Sequence, residues 1–142
     1  MIDFGLMGGI YAMLHAVHGI ADYWFQTDWQ AQNKSKNWNA LIRHVCVYGL
    51  SFVSVGLVLQ YFSNVPEWKL MCLPWAIAIP HMWMDRRRFL GWFLRTTKGW
   101  KPEDMATLPA PAVAVRTHVA IHMDQKFHYL CLLLTAAWLA WK

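Results

Sequence analysis

Four long apolar stretches constrain this chain more than any other feature of its sequence. They run over about 4–25, 40–62, 70–94 and 115–141. A helix that crosses a bilayer needs about 20 mostly apolar residues, and each stretch approaches that length. The stretches do not alternate with period two, which favours helices over barrel strands. We therefore expect one all-α domain over residues 1–142, folded as a four-helix transmembrane bundle.

Charge is scarce in this chain, and its distribution predicts an orientation in the membrane. Charged residues make up 15% of the sequence, whereas soluble domains carry about 25%. In a four-helix arrangement, all but two of the 13 Lys and Arg residues lie on the side of the loops near 26–39 and 96–111; the exceptions are Lys69 and Lys142. The positive-inside rule places that side in the cytoplasm. We expect a multi-pass inner-membrane protein with both termini outside and the first stretch retained.

Three of the predicted spans carry a His and an Asp four residues apart, which places both on one helix face. The pairs are His18 with Asp22, His81 with Asp85, and Asp124 with His128. Because chain direction alternates between spans, every Asp is predicted nearer the cytoplasm and every His about one turn deeper. His44 in the second span adds a donor at similar depth. Ionisable groups inside a span are costly, so they mark a functional or a paired site.

This set of side chains predicts a metal site near the cytoplasmic side of the bundle. Imidazoles and carboxylates together suit a divalent transition metal such as zinc or manganese, and they do not suit calcium. Seven donors fit two ions, or one ion with outer groups that orient the ligands. Two other readings stay open: His–Asp hydrogen bonds that hold the helices together, and a proton relay.

Several assignments within this set have alternatives. His15 shares a stripe with His18, and His122 on the fourth span is the alternative to Asp124 and His128. Arg88 follows Asp85 by about one turn and is a candidate for holding an anion, because guanidinium groups bind phosphate well. Arg86 to Arg88 also suit a membrane anchor, and Lys34 is a weaker anion candidate. The three cysteines form no CxxC pair and are predicted to be buried free thiols.

The ordered motifs resemble a small membrane family of unknown function from phage and bacterial genomes. The family's His-x-x-x-Asp-x-x-x-Gln opening, followed by a Lys, corresponds to His18, Asp22, Gln26 and Lys34. The pattern continues over nearly the whole chain with His44 and Tyr48, His81 and Asp85, and Asp124-Gln125-x-x-His128. Related small membrane proteins are described as metal-dependent hydrolases. The resemblance adds Gln26 and Gln125 to the site, and it favours His18 over His15 and Asp124 with His128 over His122.

We therefore expect a metal-dependent hydrolase that acts on a phosphoester or related substrate, a lipid or a small anion, from the cytoplasmic face. The expected ligands of one or two ions are His18, Asp22, His44, His81, Asp85, Asp124 and His128. Gln26 and Gln125 are expected to orient water or substrate, and Arg88 to hold an anionic group. The alternative is a non-catalytic membrane protein whose structural metal site supports binding of a membrane partner. An ion or proton carrier ranks last; nucleic-acid binding is not expected, and a homo-oligomer is left open.

Overall fold

Helices make up most of the chain in the computed structural model, which describes residues 1–142 and, of their side chains, all except that of Pro102. In chain order they are α1 (Phe4–Gly19), α2 (Asp28–Asn33), α3 (Trp38–Ser51), α4 (Val53–Phe62), α5 (Glu67–Asp85), α6 (Arg88–Lys98) and α7 (Ala110–Leu139). A π-helical turn over Ile20–Trp24 extends α1, and a 3-10 turn over Pro102–Ala106 precedes α7. The prediction of an all-α fold is confirmed.

The third predicted helix, over 70–94, differs from the structure because it is broken in the middle. Helix α5 ends at Asp85, and α6 begins at Arg88. Between them Arg87 has a φ of 55°, in the left-handed region. An L-residue adopts that conformation at a cost, and the right-handed helix cannot continue through it. Arg88 therefore starts a new helix, exposed, and does not extend the face of α5 that carries Asp85.

The long helices α1, α3, α5 and α7 surround a core whose character changes along its length. On α1 the buried residues Ile10, Leu14 and His18 follow one another at intervals of four. The buried residues of α5 likewise pass from Leu73 and Ile77 to ionisable groups, and those of α7 pass from ionisable groups to leucines. Each buried stripe is thus apolar toward one end and ionisable toward the other. The ionisable ends meet, and this sets the position of the site.

The two ends of the chain meet on the apolar side of the bundle. Ile2 and Trp141 form an isolated antiparallel bridge. The buried Lys69 donates from Nζ to the carbonyl oxygens of Trp138 and Trp141 at 2.8 and 2.7 Å. These carbonyls belong to the last turn of α7 and the residues after it, where backbone acceptors lack helical partners. Lys69 therefore caps α7 rather than contributing to the site.

Two stretches of the described chain are long and apolar enough to cross a membrane. They are Phe4–Trp24 with a mean hydropathy of 1.3 and Trp38–Phe62 with 1.8. Only length and composition identify these stretches as candidate spans. The core helix of a soluble protein or a signal sequence has the same length and composition. The structure thus supports two candidate spans where the sequence predicted four. Ionisable residues along α5 and α7, including Asp85 and Lys126, lower the average hydropathy of those helices.

Candidate metal centre

Four buried side chains from three separate elements bring ligand atoms to one point. Asp22 comes from the π-helical turn, His44 from α3, and His81 and Asp85 from α5. One ligand atom of each residue lies within 4.8 Å of the others. None of the four residues is more than 3% exposed. Imidazole and carboxylate are the donors that transition metals bind in proteins. This Asp–His–His–Asp cluster can therefore hold a metal ion.

The distances within the cluster suit a small ion. The Nε2 atoms of His44 and His81 are 2.9 Å apart. His44 Nε2 lies 3.2 Å from both Asp22 Oδ1 and Asp85 Oδ2, and His81 Nε2 lies 3.8 and 3.1 Å from the same two oxygens. Ligand atoms on a tetrahedral ion with bonds of about 2.0–2.1 Å are separated by about 3.3–3.4 Å. The observed separations fall on both sides of that value.

Three polar atoms at the cluster lack a hydrogen-bond partner among the described side chains. They are His81 Nδ1, Asp85 Oδ2 and His128 Nε2. Buried polar atoms are nearly always paired, so each unpaired one calls for an explanation. Asp85 Oδ2 is near two imidazole nitrogens, but not in the geometry of a hydrogen bond. A cation shared between Asp85 Oδ2 and His128 Nε2 would satisfy both, which supports the fit of the donor set to a metal, whereas His81 Nδ1 lies on the other side of its ring.

Lys34 lies inside the cluster, although the sequence identified it only as a weak candidate for anion binding. The residue is 6% exposed. Its Nζ donates to Asp22 Oδ1 at 2.8 Å and lies 3.0 Å from Asp85 Oδ1. It is also 3.2 Å from His44 Nε2. Its ammonium group therefore contacts the same carboxylates that a metal would use.

The short helix α2 explains how a lysine from a polar loop reaches the cluster. Thr27 and Gln30 form a capping box at its start, which fixes where the helix begins. Lys34 directly follows its last residue, and the Lys34 N–H donates to Gln30 O at 2.8 Å. The helix thus carries Lys34 back over the buried carboxylates. A lysine among polar residues gives no sequence signal of burial, and only the Lys of the family motif pointed to it.

Asp22 and His18 do not face the same partner, although they are four residues apart. Asp22 lies in the π-helical turn, where the Phe25 N–H donates to Ile20 O at 3.2 Å, five residues earlier. The rule that residues i and i+4 share a face holds for an α-helix, and a π turn alters it. Asp22 is directed toward the cluster, while His18 lies beside it.

Both ring nitrogens of His18 are occupied by neutral side chains. Its Nδ1 hydrogen-bonds with Tyr48 Oη at 2.8 Å, and its Nε2 with Gln125 Oε1 at 3.1 Å. Gln125 also donates from Nε2 to Asp22 Oδ2 at 3.4 Å. The structure therefore places His18 and Gln125 around the cluster, where they orient Asp22. The Tyr48 ring stacks on His81, with ring centroids 3.5 Å apart.

The two residues of the predicted pair on α7, Asp124 and His128, lie in different places: His128 is at the edge of the cluster, and the Asp124 side chain is outside it. His128 Nδ1 lies 2.8 Å from the backbone oxygen of Asp124. A carbonyl only accepts, so Nδ1 carries the proton, and neutral His128 then presents a lone pair at Nε2. That atom is 3.8 Å from Asp85 Oδ1. His128 is thus oriented as a metal ligand would be, at the edge of the cluster. The Asp124 side chain is buried and lines a neighbouring cleft.

The remaining predicted residues lie farther out. Gln26 is half-buried, and its Oε1 has no hydrogen-bond partner in the part of the chain that the structure describes. Arg88 is exposed at the start of α6. His15 packs against the Tyr129 ring, with centroids 4.6 Å apart. His118 and His122 contact each other, with centroids 4.2 Å apart, on the exposed surface of α7.

Comparison with known proteins gives a family without an assigned activity. Residues 10–142 match the model of a family described as "Protein of unknown function (DUF3307)". The match includes every predicted site residue, and it agrees with the predicted resemblance to a family of unknown function. The description names neither a membrane location nor a hydrolase activity. No curated protein and no solved structure matches the sequence.

Proposed function

We propose that this chain, which belongs to the DUF3307 family of unknown function, is an integral membrane, metal-dependent hydrolase. The proposal is drawn from the chemistry of its site. Its substrate would be a phosphoester or a related anionic compound reached from the cytoplasmic face. The observation that carries the proposal is the convergence of Asp22, His44, His81 and Asp85 within 4.8 Å. Two imidazoles and two carboxylates favour zinc or manganese. His128 is available for a further coordination position or a second ion.

The distribution of apolar side chains supports the membrane location. The apolar windows of the two candidate spans are only 22% and 28% buried. Helices α5 and α7 also direct large apolar groups outward; Trp75, Trp83 and Leu134 are 68%, 66% and 62% exposed. A water-soluble monomer rarely exposes so much continuous apolar surface. Apolar groups outside and ionisable groups inside suit a bilayer, so we extend the proposal to four spans that include α5 and α7.

The charges of the chain support the proposed orientation. Lys69 and Lys142 are the only Lys or Arg residues on the side of the termini. The opposite side, which carries the cluster and the long loops, therefore faces the cytoplasm under the positive-inside rule. An even number of spans puts both termini on the same side, which is then the outside.

The side chains of the site have distinct tasks in such a reaction. A divalent metal bound there supplies Lewis acidity and a nucleophilic water near neutral pH. Asp22 and Asp85 balance its charge, and the neutral rings of His44 and His81 complete the donor set. Gln125 links His18 to Asp22 and fixes the orientation of that carboxylate.

Metal analysis of three variants tests the proposal. Protein purified without chelators or a nickel column is expected to contain about one equivalent of zinc or manganese by plasma mass spectrometry. His81→Ala and Asp85→Asn are expected to lose it. His118→Ala is the matched control, because His118 is exposed on α7 and lies outside the cluster. Less than a tenth of an equivalent in the wild-type protein would contradict the proposal.

The hydrolase part of the proposal needs its own measurement. The metal-loaded protein is expected to hydrolyse an aryl phosphomonoester or phosphodiester, and EDTA is expected to abolish the activity. His81→Ala should be inactive and His118→Ala fully active. A stoichiometric metal with no turnover of any phosphoester in the panel would point to the second candidate function.

Lys34 supports that second candidate, a non-catalytic membrane protein whose cluster stabilises the bundle. Its ammonium already neutralises Asp22 and Asp85 at 2.8 and 3.0 Å. The cavity lined by His81 and His128 measures about 10 Å³, close to the smallest space that holds one water molecule. A closed site of this kind can fix helix packing without admitting a substrate.

A further inference from the structure

A second polar site lies beside the cluster, in a cleft between α6 and the first half of α7. The cleft measures about 550 Å³, within the range of small-molecule sites. Its lining contains two kinds of side chain. The apolar part includes Leu90, Leu94 and Ile121, and the basic part consists of Lys36, Arg87, Lys101 and Arg116.

Arg116 is the side chain that points most directly to a ligand. Its Nη1 is buried and has no hydrogen-bond partner among the residues described. The Asp104 carboxylate is 3.9 Å away, too far for a hydrogen bond, and it accepts instead from the Lys101 N–H at 3.2 Å. The guanidinium group lies over the Trp100 ring, 5.0 Å from its centroid, which holds it in place. A fixed guanidinium with an unused donor is suited to a phosphate oxygen.

The overall charge of the lining also favours an anion. Four cationic side chains line the cleft, and Asp124 is the carboxylate among the lining residues. Three of those cations, Lys36, Arg87 and Lys101, are exposed and can adjust to a bound group. Leu90 and Leu94 are one helical turn apart and buried, so they form a fixed apolar wall. The ligand that matches both parts has an anionic head and an apolar body.

We propose that this cleft binds a membrane lipid with an anionic phosphate headgroup. The headgroup phosphate contacts Arg116, and the hydrocarbon chain lies along Leu90, Leu94 and Ile121. A lipid fits better than a soluble phosphate because the cleft is lined by apolar as well as basic side chains. The proposal rests on the membrane location argued above and is independent of the metal.

The position of the cleft connects it to the cluster. Asp124 lines the cleft, and its backbone oxygen fixes the ring of His128. His128 Nε2 in turn lies 3.8 Å from Asp85 Oδ1. Asp124 and His128 therefore connect the cleft to the cluster, and a lipid bound in the cleft lies beside the cluster.

Lipid binding by the full chain in detergent micelles tests the inference, with native mass spectrometry as the readout. Phosphatidylglycerol is expected to bind about tenfold more tightly than phosphatidylcholine, because both carry the phosphate but choline adds a cation beside the basic lining, and such a like-charge contact costs about 1.4 kcal/mol or more. Arg116→Gln should weaken the binding of both lipids, since it removes the phosphate contact, and should reduce that preference. Ala120→Trp, which fills the cleft without changing charge, should weaken both lipids. Arg43→Gln is the control, because Arg43 is exposed on α3 and hydrogen-bonds with Asn39.

Three results would overturn the inference. Equal affinity for the two lipids would remove the headgroup selectivity. An Arg43→Gln effect as large as that of Arg116→Gln would assign the preference to general surface charge. Displacement of the lipid by glycerol 3-phosphate at equal concentration, with no effect of Ala120→Trp, would assign the cleft to a soluble phosphate compound. Repeating the measurement in EDTA separates this inference from the metal, because lipid binding is expected to persist there.

Discussion

At the level of single residues, Lys34 controls whether the cluster binds a metal ion. Its ammonium group and a metal ion would share the same carboxylates. Asp22 and Asp85 are buried with almost no access to water. Two carboxylates in such surroundings need a positive charge close by. Either Lys34 or a metal ion can provide it, and the two cations repel each other. Metal affinity and bundle stability are therefore linked through one side chain.

Lys34→Met tests this link by removing the charge while keeping most of the side-chain length. Without metal, the variant is expected to lose about 3–5 kcal/mol of unfolding free energy, since it leaves buried carboxylates without a partner. Added zinc is expected to restore the stability, because the ion replaces the missing charge. Thermal unfolding in detergent with EDTA or with zinc provides the measurement. Lys36→Met, at an exposed position, is the control, and equal unfolding of both variants in EDTA would contradict the link.

Tyr48→Phe tests the hydrogen bond that positions His18. The change removes the hydroxyl 2.8 Å from His18 Nδ1 and keeps the ring that stacks on His81. We expect a loss of about 1–3 kcal/mol, the cost of leaving a buried polar atom unpaired. Denaturant unfolding of the detergent-solubilised protein measures it. Tyr61→Phe is matched to it, because Tyr61 is 83% exposed and should tolerate the change.

The residues of the cluster divide into those that the sequence could predict and those that it could not. His44, His81, Asp22 and Asp85 were predicted from spacing and chain direction, and the structure brings them together. The place of Lys34 was not predictable, because its burial depends on how α2 folds back. His18 was predicted as a ligand from α-helical spacing, but the π turn directs Asp22 away from that spacing, and His18 hydrogen-bonds with Tyr48 and Gln125 instead.

At the level of helices, the sequence predicted the class of every long element but missed two breaks. One lies at Phe52, between α3 and α4, and the other lies between α5 and α6. The Arg86-Arg87-Arg88 run contains no Gly or Pro that would signal a helix end. The second break depends on Arg87 adopting a positive φ, which costs energy for an L-residue. Sequence periodicity cannot report such a conformation.

Gly49→Leu tests the close packing of α3 against α5. A Cβ atom at Gly49 would lie 3.2 Å from the Cβ of Ala78, so the helices must separate to admit a larger side chain. We expect a loss of about 1–3 kcal/mol in unfolding free energy, as for overpacked cores. The matched change is Gly8→Leu on α1, where a Cβ meets nothing within 4 Å. Unfolding in detergent should separate the two variants clearly, and equal stability would contradict the close contact.

At the level of the whole molecule, the bundle buries an ionisable cluster at one end of an apolar core and also exposes many large apolar side chains. The sequence predicted this arrangement from the ionisable residues in otherwise apolar helices. Length and hydropathy alone support only the two candidate spans found among the described residues. A mean hydropathy over a window of residues does not show that side chains such as Trp75 and Trp83 point outward.

Cysteine labelling tests whether this apolar surface lies in a bilayer. Cys46 and Cys72 were predicted to be buried, but both are exposed on the protein surface. A water-soluble protein would therefore react with a membrane-impermeant maleimide at both. In membranes we expect both to be unreactive until the sample is denatured. A Cys131→Ala background removes the third thiol. Asn64→Cys in the same background, at an exposed loop position, should react in intact outward-facing spheroplasts. Rapid labelling of Cys46 and Cys72 in native membranes would exclude the four-span arrangement.

The π turn at Ile20–Trp24 amounts to a one-residue insertion within a helix. Deleting a residue there would restore regular winding and rotate everything before it by about 100° relative to Asp22. Either Ile10 and Leu14 would leave the core, or Asp22 would leave the cluster. The extra residue thus allows one helix to pack its apolar side chains in the core before the turn and to place a ligand in the cluster after it. Homologues that shorten this segment by one residue are expected to have lost the site while keeping the fold.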